Sequence, residues 1–414
     1  MRYHGSRLRM LIIAISCVIS VRSRPVLGQG NPHLKEPASE QGIVGSARVV
    51  DASGSAEMSV YADTNAVTVF TPTAGASVES KTDAWSVSGH YLADIVSAAS
   101  IDIVSTASPR WTEVRHEAAL SAAYKPGPVG LRLSASVSRE PDYLSISAGG
   151  LLLLELANKN VNPTFGYSIT SDTAGRTGTP FAVFSQRLLV QSLTAATEFI
   201  VDRRTTALLE ANGVLELGDS SKPYRFLPLF APEVVPLIQP GASLAFVNEV
   251  RLPGRITERV PEQRVRFALS ARFAHRFNTT TLTLFERVYA DTWGLFASTS
   301  EARYLWDVNE RFVFWLSTRA HLQNSVFFWE RAYAAHLASG AVVVPTYRTG
   351  DRELSSLISG SVGAGVRWNV GPRGNPQVTR LTLQADEMAT QFRDALYIDG
   401  RLAHLVILQA ESEF

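Results

Sequence analysis

RVRFALSARFAHR, from Arg264 to Arg276, decides the fold. Successive side chains of an extended strand point to opposite faces. Val265, Phe267, Leu269, Ala271 and Phe273 therefore share one face, and Arg264, Arg266, Ser270, Arg272 and Arg276 share the other. One face is apolar and the other charged. The split recurs in Val129, Leu131, Leu133, Ala135 and Val137 against Arg132, Ser134, Ser136 and Ser138. It recurs again in Val362, Ala364, Val366 and Trp368 against Ser361, Gly363, Gly365, Arg367 and Asn369. Further strands are expected over 114–124, 143–154, 207–217, 312–322 and 378–385.

These segments run for about 10 to 14 residues, near the length a tilted strand needs to cross a bilayer, whereas soluble strands average about 5 or 6. Tight punctuation such as Lys125-Pro126-Gly127-Pro128, Arg139-Glu140-Pro141-Asp142 and Asp307-Val308-Asn309-Glu310 makes neighbours antiparallel. The chain is all-β, and the expectation is a transmembrane, antiparallel up-and-down barrel of about 14 strands, within a range of about 12 to 16. A soluble secreted sandwich is the alternative fold. Trp85, Tyr124, Trp293, Tyr304, Trp306, Phe312 and Trp368 near strand ends are assigned to interfacial aromatic girdles. The breaks at 161–184 and 218–262 are assigned to long extracellular loops. The second, with Pro223, Pro228, Pro232, Pro236 and Pro240, reads as a cap or a loop folded into the mouth.

Residues 1–28 are laid out as a cleaved export signal: Arg2, Arg7 and Arg9, an apolar run from Met10 to Val21, then Val26 and Gly28 as small residues. The only cysteine, Cys17, lies inside it, and Ala14, Ile15 and Ser16 before it make a poor lipoprotein signal. The mature chain is thus expected to have no disulfide and no thiolate metal site. Residues 29–54 read as a flexible periplasmic lead and 55–414 as a single barrel domain. The formal charge is +1, and removing a signal with five arginines and no acids leaves about −4. Nucleic-acid binding has no electrostatic support. The partners expected are outer-membrane lipid, the barrel assembly machinery, for which Phe414 in register with Ala410, Leu408 and Val406 supplies an aromatic-ended last strand, and a small-molecule solute. The localisation expected is the outer membrane of a Gram-negative bacterium.

Several stretches resemble a bacterial family known only as a domain of unknown function and regarded as outer-membrane barrels. They are DIVSAASIDIVSTASPRWTEVRHE (Asp94 to Glu117), EPDYLS (Glu140 to Ser145), KPYR (Lys222 to Arg225), RVPEQRVR (Arg259 to Arg266) and ERVYADTWGL (Glu286 to Leu295), followed by a strand carrying Arg319 and Gln323. The likeness runs roughly from Val60 to His336, departs from the family where a double aromatic is usual after Arg287, and implies a fold without implying an activity.

No catalytic, cofactor-binding or metal site is expected, and the chain reads as no enzyme. Gly218-Asp219-Ser220 is similar to the nucleophile block of one esterase class, but Asp399 and His404 are wrongly spaced to serve it. His90 and Asp94 share a strand face and lack a third ligand. What stands out is arginine. Arg115, Arg132, Arg266, Arg272, Arg287, Arg319, Arg367 and Arg380, with Asp291, are the expected lumen-lining residues, and Glu113, Glu117, Glu210, Glu216 and Asp386 also project inward. Cross-strand ion pairs are the plain reading; an electropositive strip guiding anions is the sharper one. Together they imply a pore for small solutes, with a plugged structural or adhesion barrel as the alternative.

Overall fold

The computed structural model describes residues 50–98, 111–338, 341–370 and 379–414. The export signal and most of the lead lie outside these residues. Nine strands come first: β1 (Val50–Asp63), β2 (Val67–Ser80), β3 (Trp85–Ala98), β4 (Trp111–Tyr124), β5 (Val129–Glu140), β6 (Tyr143–Leu154), β7 (Val161–Ala174), β8 (Gln186–Ile200) and β9 (Thr205–Gly218). After an excursion come β12 (Gln263–Arg276), β13 (Thr280–Asp291), β14 (Phe296–Asp307) and β15 (Phe312–Gln323), and after a second one β19 (Leu357–Val370), β20 (Thr379–Phe392) and β21 (Gly400–Glu413). Each pairs antiparallel with its neighbour, and β21 closes on β1, Val406 opposite Val60. The result is a closed barrel of sixteen strands.

The count is two above the central expectation, and β7 explains half of the difference. Residues 161–174, assigned to an outer loop, are a full strand in register with β6 and β8. Its inner face is Thr164, Gly166, Ser168, Thr170 and Asp172, too polar and small to announce a strand. β1 also begins at Val50, so the last five residues assigned to the lead belong to the wall.

Hairpins at one end are short because side-chain acceptors close them. Asp202 Oδ1 accepts from Arg204 N at 2.6 Å and Asn309 Oδ1 from Arg311 N and Phe312 N at 2.9 and 3.0 Å. The other end carries the excursions at 219–262 and 324–356. Around the wall, apolar side chains point outward and are exposed: Leu120 is 68%, Leu316 66% and Phe267 62% accessible. An exposed apolar belt of this kind is stable against hydrocarbon rather than water. Tyr124, Tyr304, Trp306 and Trp368 sit outward near the short-turn end, Phe312 stacking at 6.2 Å on Trp368. Trp293 departs from the girdle assignment. It is 4% exposed, in the β13–β14 turn, and faces the loop end's interior.

Candidate functional site

The apolar clusters of the described residues lie at the loop end, where 219–262 and 324–356 fold together as a lid over the mouth. The first excursion contains β10 (Phe226–Phe230), α1 (Leu244–Val250) and β11 (Arg255–Thr257); the second contains β16 (Tyr333–Ala334), β17 (His336–Ala338) and β18 (Ala341–Val343). β10 pairs antiparallel with β11 and parallel with β16, so one short sheet stitches the two together. Ser243 caps α1, its Oγ accepting from Phe246 N at 3.2 Å. Phe230, Ile238 and Val247, all at 0% exposure, pack with Ala332. The prolines that forbid regular sheet thus space apolar residues for a small core. The first excursion was legible as a cap; the second was missed because 324–356 carries no period of two or 3.6.

A charged knot lies at the centre. Arg225 Nη1 donates to Glu258 Oε1 at 3.0 Å and to Asp351 Oδ2 at 2.8 Å. Glu258, whose side chain is 2% exposed, also accepts from Lys222 N at 2.7 Å and Thr349 Oγ1 at 2.5 Å. Burial alone would lower the Arg225 pKa, but Asp351 and Glu258 hold it above its usual value. Burial alone would raise Asp351, yet Arg225 and Lys222 bring it below the usual carboxylate range. Burial, aided by Arg225, lowers Lys222.

Asp351, with its depressed pKa, stabilises the closed lid above the ordinary carboxylate value of about 3.9, and that support is lost as pH falls through its lower folded value. For Lys222 the sign is opposite: charging it in the folded lid costs free energy, so the lid gains as pH rises towards the free-lysine value. Protease cutting within 219–262 is expected to stay slow from pH 5 to 8 and to rise only below about pH 4. Release between pH 6 and 8 would contradict this account of the knot.

Anchors tie the lid to the wall. Tyr224 OH donates to Asp142 Oδ2 at 2.9 Å in the β5–β6 turn and accepts from Thr177 N at 2.5 Å; burial raises its pKa to about 12. Gln323 Nε2 donates to Glu353 O and Ser355 O, each at 2.8 Å, and Arg401 Nη1 reaches Glu353 Oε1 at 3.0 Å. Trp329 Nε1 donates to Asp394 O at 3.1 Å, and Arg331 pairs with Asp394. Buried beside the Tyr224 anchor are Glu113, Glu140 and Asp142, which sequence reasoning did not bring together.

Below the lid, register places Arg115, Arg132, Arg266, Arg272, Arg287, Asp291, Arg319, Arg367 and Arg380 at inward positions. Arg115 Nε pairs with Asp94 at 3.0 Å and its Nη2 with Glu117 at 3.0 Å. Arg266 pairs with Glu216, Arg264 with Asp291, Arg272 with Glu198 at 3.9 Å and Arg380 with Glu413 at 2.8 Å. Arg132, Arg287, Arg319 and Arg367 have no ion pair among the described residues.

The signs are segregated. The inner face of β1–β9 carries Glu57, Asp94, Glu117, Asp172, Glu198, Glu210 and Glu216 among its acids, against Arg115 and Arg132. β12–β15 carries Arg264, Arg266, Arg272, Arg276, Arg287, Arg303 and Arg319, against Asp291, Glu301 and Asp307. A balanced total thus hides two walls of opposite sign. Among the described residues His90 shares no partner with Asp94, which accepts from Thr71 at 2.5 Å and pairs with Arg115. Ser220 meets no histidine among the described residues: Asp219 accepts from Ser221 N at 2.9 Å and Gln186 Nε2 at 2.6 Å, and His404 faces outward on β21.

Residues 200–408 match the family model described as "Protein of unknown function (DUF3570)". The chain belongs to this family. Its matched region holds the KPYR, RVPEQRVR and ERVYADTWGL stretches, and these meet at the lid: Lys222 and Arg225 belong to the knot, Tyr224 anchors it to the wall, and Val260 packs on Trp293. Among curated proteins there is no match. Similar solved structures include OccK7 (OpdD) of Pseudomonas aeruginosa, 10% identical with a TM-score of 0.42 over 88% of this chain and 98% of that one. OccAB1 of Acinetobacter baumannii is 8% identical with a TM-score of 0.41, over 88% and 97%. The siderophore receptor PirA of Acinetobacter baumannii is 8% identical with a TM-score of 0.43, over 83% of this chain and 53% of that one. The closed barrel rests on this chain's own hydrogen-bonded ladder.

Proposed function

We propose that this DUF3570 member is an outer-membrane channel for small charged solutes whose outer mouth is covered by the lid. The supporting observation is the segregated inner wall. Arginines gather on β12–β15, with Glu198, Glu210 and Glu216 of β8–β9 beside them and Glu57, Asp94 and Glu117 of β1–β4 across the lumen, and Arg287 and Arg319 keep guanidinium groups free of ion pairs among the described residues. Fixed charges of opposite sign across a lumen orient a dipolar solute and bias which ions pass. The exposed apolar belt favours the outer membrane, with the short turns towards the periplasm and the lid outside.

A plugged, non-transporting barrel is favoured instead by the lid's anchors to several wall segments. Single-channel recording separates the two. The channel reading expects discrete steps in planar bilayers and a preference for anions, with Arg287→Glu plus Arg319→Glu lowering the anion-to-cation permeability ratio by about threefold or more. Silence at every voltage, both for the folded wild type and for a variant whose lid has been released, would leave the structural reading standing.

A further inference from the structure

The outer wall is not uniformly apolar. On β14, Phe296, Ser298, Ser300, Ala302, Tyr304 and Trp306 share the outward face, so two serines lie between the aromatics that mark the edges of the apolar belt. Their hydroxyls donate to one carboxylate, Glu286 of β13: Ser298 Oγ to Oε1 at 2.8 Å, and Ser300 Oγ to Oε2. Glu286 stands opposite Ala271, between the lipid-facing Leu269 and Phe273, and is itself outward and exposed. No cation meets it among the described residues. An ionised carboxylate at this depth costs free energy against lipid, and two serine hydroxyls offset only part of that.

A second polar patch interrupts the same belt on β20–β21. His404 Nδ1 pairs with Glu387, both side chains outward and more than half exposed, and its Nε2 has no partner among the described residues. At the loop end of the same strands a recess of about 490 Å³ has a lining that mixes Ile358, Gly360, Ala389 and Leu402 with the polar Asp399 and Arg401. Glu286 lies five residues, and His404 four, from the loop ends of their strands, so the patches sit at similar depth. Around the barrel they are a quarter of the sixteen-strand circumference apart.

We propose that these two patches are the complementary halves of an interface between copies of this chain: the Glu286 face of one protomer docks on the His404 face of the next. A protonated imidazole can donate Nδ1–H to its own Glu387 and Nε2–H to the neighbour's Glu286, which supplies the missing cation. Because the faces are different, the contact is head-to-tail, and a quarter-turn between them closes a ring of roughly three or four copies. Another outward histidine, His116, held by Tyr91 OH at 2.6 Å, lies seven strands from Glu286, close to half a circumference. Pairing there would give an open row instead. The proposal rests on the membrane placement of the barrel and is independent of transport.

Cysteine cross-linking in intact outer membranes tests it, since Cys17 is the sole cysteine and lies in the export signal. Ser300→Cys combined with Leu402→Cys, which flanks His404 on the outward face of β21 and leaves the imidazole and Glu286 in place, is expected to give an oxidation-dependent ladder ending in a closed small oligomer. Within one chain the two positions are four strands apart, about 19 Å, beyond disulfide reach. Each single variant should stay monomeric, and adding Glu286→Leu should cut the ladder at least tenfold. A dimer from Ser300→Cys alone would replace the ring with a two-fold contact. A ladder from Ser300→Cys with Ala118→Cys, beside His116 on the outward face of β4, would replace it with an open row, and no cross-link in any combination would mean a wall covered by lipid alone; each overturns the proposal. Heat-modifiable migration of the same samples reports membrane-barrel folding separately.

Discussion

Arg225→Met is expected to release the lid while leaving the barrel standing. The substitution removes the one guanidinium that bridges Glu258 and Asp351 and strands two carboxylates in a site where Glu258 is 2% exposed. Breaking a buried ion pair from one side costs about 3 to 5 kcal/mol, far more than the pair itself contributes. Nothing in the sixteen-strand ladder depends on Arg225, so heat-modifiable migration should be unchanged. Protease cutting within 219–262 should rise by about two orders of magnitude at neutral pH, and conductance should rise with it. Arg225→Lys should fall between, because a single ammonium cannot reproduce a fork aimed at two acceptors. Adding Glu258→Met to Arg225→Met should recover part of the protection by removing one stranded charge. Wild-type protection in Arg225→Met would mean that the knot does not hold the lid.

Trp293→Ala should produce the second large effect, from the β13–β14 turn. Its indole packs among Val260, Leu295, Val326 and Phe328, meets Phe328 edge-on at 5.3 Å, and donates Nε1–H to Gln263 O at 3.1 Å. Arg264 stacks on it at 4.1 Å while holding Asp291. Truncating a buried tryptophan costs about 3 to 5 kcal/mol through lost burial and the cavity it leaves. Amide hydrogen exchange at 326–329 should accelerate strongly. The β13–β14 turn should persist, because Asp291 Oδ1 still accepts from residue 293 N and Leu295 N at 2.9 and 3.0 Å. Trp293→Phe should retain most of the protection. Unchanged exchange at 326–329 in the alanine variant would remove Trp293 as a lid anchor.

Both predictions concern the part of the molecule least legible in the sequence. Alternation in Arg264–Arg276, and in the segments around Val129 and Val362, reveals the faces of a strand because it is set by neighbouring residues. The 307–310 turn is legible for the same reason: Asn309 Oδ1 accepts from Arg311 N and Phe312 N, two and three residues further on. β7 escaped because its inward set of Thr164, Gly166, Ser168 and Thr170 is small and polar, and Pro163 reads as a break. Trp293 was misplaced because an aromatic near a strand end looks the same whether its turn points it at lipid or over the mouth. The inward arginines were legible individually, but whether their acids stand beside or across from them is a matter of strand order around the circle.

By itself, then, the sequence determined the alternating strands, the closing turns, an arginine-rich inner face and a proline-spaced cap, all consequences of short-range stereochemistry. Only the tertiary structure decided that Tyr224 reaches Asp142 across 82 residues and that Arg225 finds Glu258 and Asp351 from separate excursions. It also decided that arginines gather on β12–β15 with the acids of β8–β9 beside them, and that Glu286 faces outward with its two serines. These depend on which distant segments become neighbours when sixteen strands close into a ring, and closure is a property of the whole chain that no local window contains.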